Sequence, residues 1–583
     1  MYSFKINKMI FKNGVEISPG CLTIIVGPNN SGKSRILKDL LSLGSRENSQ
    51  TTIVQNIEYP IPTSFREVVE SYNIRPNVDK LGNYELCPLP SNMSDPTTQV
   101  LGQINWDDFC STKLDDPVYR QKLRRYFGNY FMTFLNTEDR LKLLNQSTFG
   151  AVDMRRTTMN LIHLLYKEGI AKEKLLNILI KEAFNKEVKL DYSALNTMLL
   201  RVADDFNGVP SNMREAFNSL EKYETLDDQG DGLKSFAETA LAMIVVARPV
   251  LLIDEPEAFL HPPQAMRIGE IIADYSTQDH QIIVASHSAD LLRGILAKRQ
   301  DIQVMRIERN KNCNEINPID AADLDKINKD PLLSSSRILD SIFYKGSVIT
   351  EGDTDSTFYQ RVARRVRNLD DIHYANAFNK QTVSRMAEPF VKLGIRFAAI
   401  VDFDILNDAT TFEKIVKEMG MGGDDLESSL KMVKKIIQEI ESKDASRQRD
   451  DLITALEQLG IEARKEYVST NPLNDLVKLR IALGRLRDKS SVWDTYKANG
   501  FNALPSHLWS DFYQLDILCK KYGLFIVPCG EVESWLKNYG VNNKKSRKWI
   551  EAALIGLDSI DVSKTPLGEF ISRIHEHLLH ESC

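Results

Sequence analysis

Short apolar runs that end in turn residues alternate with longer helical stretches along most of the chain, a pattern that predicts an α/β protein. Near the start, Phe4-Lys5-Ile6 and Met9-Ile10-Phe11 read as strands, and Asn13-Gly14 is a hairpin signal. Leu22-Thr23-Ile24-Ile25-Val26 reads as a short buried strand, followed by a glycine-bearing loop and a helix over Arg35–Leu43. Residues 45–105 are polar, contain several prolines and give no clear element. From about 110 to 225 the pattern is mostly helical, with apolar residues at helical spacing in 160–165 and 174–180. Strand–helix–strand character returns at Val250–Ile253, Ala265–Tyr275 and Gln281–Ala285.

A polar stretch at 308–335 marks the expected domain junction. A second α/β unit starts at Ser347-Val348-Ile349-Thr350 and continues in Phe397–Val401 and Leu524–Val527. The residues between the last two strands are charged and helical, which reads as an insertion at about 409–515. The expected domains are therefore 1–335, with its insertion at about 45–225, and 336–583.

Composition narrows the class. A chain of 583 residues holds more than one core. A net charge of −6 excludes a globally basic nucleic-acid coat, so nucleic-acid binding has to come from local patches. Seven scattered cysteines without a CxxC pair argue against a disulfide framework or a four-cysteine zinc site. The start has no apolar signal core, and the longest apolar stretch, Ala240–Ile253, is broken by Arg248-Pro249. A cytoplasmic protein with no membrane partner is expected.

Two constellations carry chemistry. Gly27-Pro28-Asn29-Asn30-Ser31-Gly32-Lys33-Ser34 fits G-x-x-x-x-G-K-[ST] between a strand and a helix. Asn30, Gly32, Lys33 and Ser34 are its candidate nucleotide contacts, with Lys33 on the β/γ-phosphates and Ser34 on Mg²⁺. The strand Val250–Ile253 ends in Asp254-Glu255, placing Asp254 by the Mg²⁺ and Glu255 as the residue that polarises the attacking water. Ile282–Ala285 ends in Ser286-His287, and His287 is placed to sense the γ-phosphate.

The second constellation is acidic. Three apolar strands end in Glu351-Gly352-Asp353-Thr354-Asp355, in Asp402-Phe403-Asp404 and in Glu531-Val532-Glu533. In extended chain, residues i and i+2 share a face, so Asp402 and Asp404 can hold one metal together. Carboxylates of this kind form a hard-oxygen site suited to Mg²⁺ or Mn²⁺, and two such ions can clamp a phosphodiester. Glu351, Asp355, Asp402, Asp404, Glu531 and Glu533 are the candidate ligands, and Glu351 is also a candidate catalytic base.

The first constellation resembles the ABC-type ATPase heads of the SMC/Rad50/RecF group, in which a long insertion separates the phosphate loop from the Asp-Glu strand. That resemblance implies a signature segment before Val250, here Gln229-Gly230-Asp231-Gly232-Leu233-Lys234-Ser235, with Ser235 reaching ATP across a dimer. The second resembles a TOPRIM domain, and the order of the two resembles the OLD (overcoming lysogenization defect) family of ATP-dependent nucleases. The family resemblance implies an ABC-type P-loop head followed by a TOPRIM domain, each with a helical insertion. It implies ATP and Mg²⁺ as cofactors, DNA as substrate, a homodimer or higher oligomer, and a basic residue near the metals, for which Lys544 and Lys545 are candidates. It also implies anti-phage defence of the Gabija or retron-associated kind, with a partner protein or retron-type nucleic acid. An ATP-driven DNA clamp or sensor without nuclease activity is the alternative reading.

Overall fold

The computed structural model describes residues 2–45, 50–86, 99–114, 117–137, 147–148, 161–194, 197–246, 248–311, 313–367, 370–466, 472–487, 493–541 and 547–579. The chain divides into two compact units, Met1–Ser334 and Ser335–Ser582.

The first unit is built on a six-stranded sheet. Its order is Cys313–Ile319, Gln303–Asn310, Leu22–Val26, Gln281–Ala285, Val250–Asp254, Met132–Leu135. All neighbours are parallel except the Cys313–Ile319 edge, which closes an antiparallel hairpin. Leu22–Val26, Gln281–Ala285 and Val250–Asp254 are buried along their whole length, which is why they are continuous apolar runs rather than alternating ones. The parallel arrangement brings the ends of these three strands, and so the motifs that follow them, to one edge of the sheet.

Several elements differ from the sequence reading. Phe4 and Ile6 are buried but not in a strand, because the Gln281 side chain satisfies the backbone instead: the Ile6 N–H donates to its Oε1 at 3.0 Å. Among the described residues of 110–225, short strands accompany the expected helices. Met132–Leu135 joins the main sheet, and Glu187–Asp191 pairs antiparallel with Thr197–Ala203. Those short strands sit beside longer helices such as Ile170–Phe184, whose periodicity dominates a sequence window. The polar 308–335 stretch is partly the Cys313–Ile319 hairpin strand and the Ala321–Lys329 helix, so the division between units falls at its far end.

The second unit has a four-stranded, wholly parallel sheet ordered Ile372–Asn376, Gly346–Thr350, Arg396–Val401, Leu524–Ile526. The first strand in sequence lies between the second and the third, so the strand order reverses beside Gly346–Thr350, the place where α/β sheets bind ligands. Between Arg396–Val401 and Leu524–Ile526 the described residues are mainly helical, with a 44-residue helix over Gly423–Glu466.

Candidate active sites

In the first unit, the loop after Leu22–Val26 is tight because of what it packs on. Gly27 has φ +145°, and a Cβ there would lie 2.1 Å from the carbonyl oxygen of Ile307, so only glycine fits. The Lys33 ammonium turns back to donate to the carbonyls of Gly27 at 2.8 Å and Pro28 at 2.9 Å. Burial pulls its pKa below the usual lysine range, opposed by the negative charges of Glu255, Glu257 and Asp254. The Ser34 hydroxyl donates to Asp254 Oδ1 at 2.9 Å, joining the first turn of the Lys33–Ser45 helix to the end of Val250–Asp254. Asn30, at φ +60°, is exposed on the same loop.

Glu255 also has positive φ, +49°, and its N–H donates to the Ala285 carbonyl at 2.8 Å, which turns the chain sharply off the strand end. His287 Nδ1 lies 3.3 Å from Glu255 Oε1. That hydrogen bond raises the imidazole pKa against the opposing effect of burial. Buried Glu257 accepts from the Ser286 hydroxyl at 2.8 Å and from the His287 N–H at 2.9 Å, fixing the segment that carries the histidine.

In the second unit, Glu351, Asp402 and Asp404 each offer an oxygen, and these atoms lie within 4.8 Å of one another. Asp402 donates its backbone N–H to Glu351 Oε1 at 2.9 Å. The two aspartates converge through a turn rather than an extended strand: Asp402 caps the 3₁₀ segment Phe403–Asn407, and Phe403 fills the core. Burial pushes the Glu351 carboxyl up to about 7, with Asp404 and Asp355 adding to the rise and the Asp402 N–H opposing it.

A cation is built into this group. Lys497 Nζ lies 3.1 Å from Asp404 Oδ2 and 3.9 Å from Asp402 Oδ2, while Lys380 Nζ lies 3.6 Å from Asp404 Oδ1. Burial works against the Lys497 charge, but Asp404, Asp402 and Glu531 outweigh it and hold the ammonium above its ordinary range. The Trp493–Asn499 helix that carries Lys497 is pressed onto the loop after Leu524–Ile526. At Gly530, φ +110°, a Cβ would lie 2.0 Å from the Lys497 carbonyl oxygen. The Gly530 carbonyl in turn accepts from the Phe403 N–H at 2.7 Å, so insertion, loop and aspartate turn are locked together.

Two family models match the chain. One, described as "AAA domain, putative AbiEii toxin, Type IV TA system", matches residues 98–293, which include Asp254, Glu255 and His287. The other, described as "Overcoming lysogenization defect protein-like, TOPRIM domain", matches residues 342–404, which include all three clustered carboxylates. The chain joins an AAA ATPase domain to an OLD-like TOPRIM domain. The Old nuclease of Escherichia phage P2 is 24% identical over 168 residues, 27% of this chain and 28% of that protein's length. Among solved structures, the SMC head domain from Thermotoga maritima is 15% identical, covering 54% of this chain and 99% of that one, with a TM-score of 0.28. A Smc head domain with an extended coiled coil, bound to the C-terminal domain of ScpA derived from Pyrococcus furiosus, is 12% identical. It covers 56% of this chain and 99% of that one, with a TM-score of 0.32.

Within the AAA domain, the segment proposed as the signature opens a helix. Ser235 lies inside the Asp231–Val245 helix, fully buried in a run of apolar contacts, while Asp231 is the exposed residue at the helix start. Within the OLD-like TOPRIM domain, Asp355, Glu531 and Glu533 lie outside the three-carboxylate group. Asp355 is buried in the first turn of Asp353–Arg367 and acts on Glu351 through its charge. Glu531 caps the Val532–Tyr539 segment and acts on Lys497, and Glu533 is fully buried in that segment. Lys544 and Lys545 lie outside the described residues. Lys497, Lys380 and Glu257 escaped the sequence reading. A lone lysine in a charged helix carries no signal, although Glu257 stands three residues after Asp254 in the motif itself.

Proposed function

We propose that this protein is an ATP-dependent, divalent-metal-dependent DNA endonuclease. The observation that carries the reading is the presence, in one chain, of two acidic centres at strand C-termini. One is joined to a phosphate loop through Ser34 and Asp254, and the other gathers Glu351, Asp402 and Asp404 beside a lysine.

At the first centre Lys33 would exchange the carbonyls of Gly27 and Pro28 for the β/γ-phosphates, and Ser34 and Asp254 would hold Mg²⁺. Glu255 would orient the attacking water, with His287 reading the γ-phosphate from the position Glu257 fixes. At the second, the three carboxylates are an all-oxygen donor set that fits Mg²⁺ or Mn²⁺. An ion bound there supplies Lewis-acid stabilisation of charge on the phosphodiester. Lys497 takes, in this reading, the basic role first looked for at Lys544 and Lys545. Its ammonium, held charged by the aspartates, would steady negative charge on the scissile phosphate. Exchange of Lys497 for Met is expected to lower cleavage on the order of a hundredfold, as loss of one such donor does. Metal affinity should hold or rise, because a competing cation is gone. Metal titration and cleavage rates on the same variant check both halves.

Glu351 sets a pH dependence. Its folded-state pKa of about 7 lies above the ordinary 4.5 of a free glutamate, so between the two the folded protein holds a proton that the unfolded chain has lost. Fold stability should therefore fall as pH rises through that window, and metal must displace the proton. Below about 7 the apparent Mn²⁺ affinity is expected to drop up to about tenfold per pH unit, and above it to level off, as measured by calorimetry.

No described helix is long and apolar enough to cross a membrane. We place the protein in the cytoplasm, as a homodimer or larger assembly that meets DNA, with anti-phage defence as its setting; the phage relative and the toxin description of the AAA model support that setting. Incubating supercoiled plasmid with the protein, ATP and Mg²⁺ or Mn²⁺ tests the reading. Nicked and linear forms should accumulate and EDTA should stop them. Plasmid that is bound yet intact under every metal would overturn it in favour of a clamp or sensor.

A further inference from the structure

Phe378 holds an exposed aromatic ring, two residues before the Lys380 that reaches Asp404, on a backbone that resists the conformation. The parallel register pairs Thr350 with Asn376, and the Ala377 N–H donates to the Thr350 carbonyl at 2.9 Å. Ala377 is thus level with Glu351 on strands about 4.8 Å apart, and Phe378 is the next residue. Its φ is +66°, left-handed backbone that a bulky side chain rarely adopts, and the residue is 50% exposed.

The conformation is over-determined by its neighbours. The Phe378 N–H donates to Asn376 Oδ1 at 2.7 Å. Asn379 caps the Lys380–Lys392 helix by accepting from the Thr382 N–H at 3.0 Å, and the Thr382 hydroxyl donates to the Ala377 carbonyl. Two residues after the ring, Lys380 reaches Asp404 Oδ1 at 3.6 Å and donates to Asn407 Oδ1 at 3.4 Å. One rigid loop therefore presents an apolar face to water and a cation to the acidic group. Neither folding nor packing calls for a phenylalanine here: glycine or asparagine would relieve the backbone, and a polar side chain would suit the exposure. Strain of this kind, kept in place by surrounding hydrogen bonds, marks functional positions.

We propose that Phe378 is a stacking platform for one unpaired nucleobase of the DNA strand, with the neighbouring phosphate beside Lys380. The inference rests on the nuclease reading and names its substrate class as DNA with at least one unstacked base near the cut. Aromatic rings hold bases by their π-faces without regard to sequence, so the platform would select for single-stranded or frayed DNA rather than for a motif.

The test uses the full chain and a single-stranded oligodeoxynucleotide carrying 2-aminopurine at successive positions, with Ca²⁺ in place of Mg²⁺ to hold the strand uncut. Phe378→Ala is expected to weaken binding by about fivefold to a hundredfold, the range found for removing one stacked base. It should also abolish a position-specific quench of 2-aminopurine that Phe378→Trp restores, with melting temperatures unchanged. An alanine variant that binds and quenches like the wild type, while the wild type still cuts, would overturn the stacking role alone. A wild type that stacks the base through Phe378 yet never cuts with any metal would overturn the nuclease reading and leave the stacking role standing.

Discussion

Asp402→Ala combined with Asp404→Ala will erase DNA cleavage and leave ATP hydrolysis close to the wild-type rate. Two of the three oxygens that converge within 4.8 Å disappear, and Glu351 alone cannot hold a divalent ion in place. The ion's stabilisation of the phosphodiester transition state is worth several kcal/mol, so the loss should be on the order of a thousandfold or more. Glu351 will respond as well. Burial is the main reason for its raised pKa, but Asp404 contributes, so its carboxyl should ionise at lower pH in the variant. Lys497 will lose both aspartates that hold its charge up. The nucleotide centre has its own acid, Asp254, held by Ser34, in the other compact unit, and should not notice. Asp402→Asn with Asp404→Asn controls for shape, since it keeps the turn over Phe403 while removing the charge.

The converse pair acts on the first centre. Lys33→Ala removes a cation that already sits folded against the Gly27 and Pro28 carbonyls, ready for exchange. Charge-assisted hydrogen bonds of this kind are worth about 1.5–3 kcal/mol, so ATP affinity should fall by about ten- to a hundredfold. Glu255→Gln should leave binding intact and slow turnover by a hundredfold or more, on the order expected for losing a general base. It should also release His287, whose imidazole pKa is raised chiefly by Glu255, so the histidine will lose its proton at lower pH than in the wild type. A Glu255→Gln protein that hydrolyses ATP at the wild-type rate would remove Glu255 from the mechanism. Nucleotide-binding titration and phosphate release separate the two effects.

The strand-end motifs were legible because each joins a local pattern to a chemical one. Leu22–Val26 before the phosphate loop, Val250–Ile253 and the last four residues of Arg396–Val401 are buried on both faces and so read as largely apolar runs. Their acids and lysine fall at fixed offsets from those runs. What stayed hidden depends on distant chain coming back. Lys497 reaches Asp404 from 93 residues away, through a glycine contact that no local window contains. Met132–Leu135 is a four-residue strand whose place beside Val250–Asp254 is set by pairing alone. Ser235 stands shortly before Val250, and Leu233, Phe236 and Ala237 around it are buried with it. Asp402 and Asp404 come together through the 3₁₀ turn at Phe403 rather than through strand alternation.

If one chain carries two separable phosphate-cleaving centres, one paired measurement separates them. Strand breakage of supercoiled plasmid and release of inorganic phosphate from ATP are followed together, on the wild type and on the Asp402→Ala, Asp404→Ala double variant, with Mn²⁺ present. Both activities are expected in the wild type, and phosphate release without strand breakage in the variant. Breakage that persists in the double variant would contradict that separation, whatever happens to the ATP.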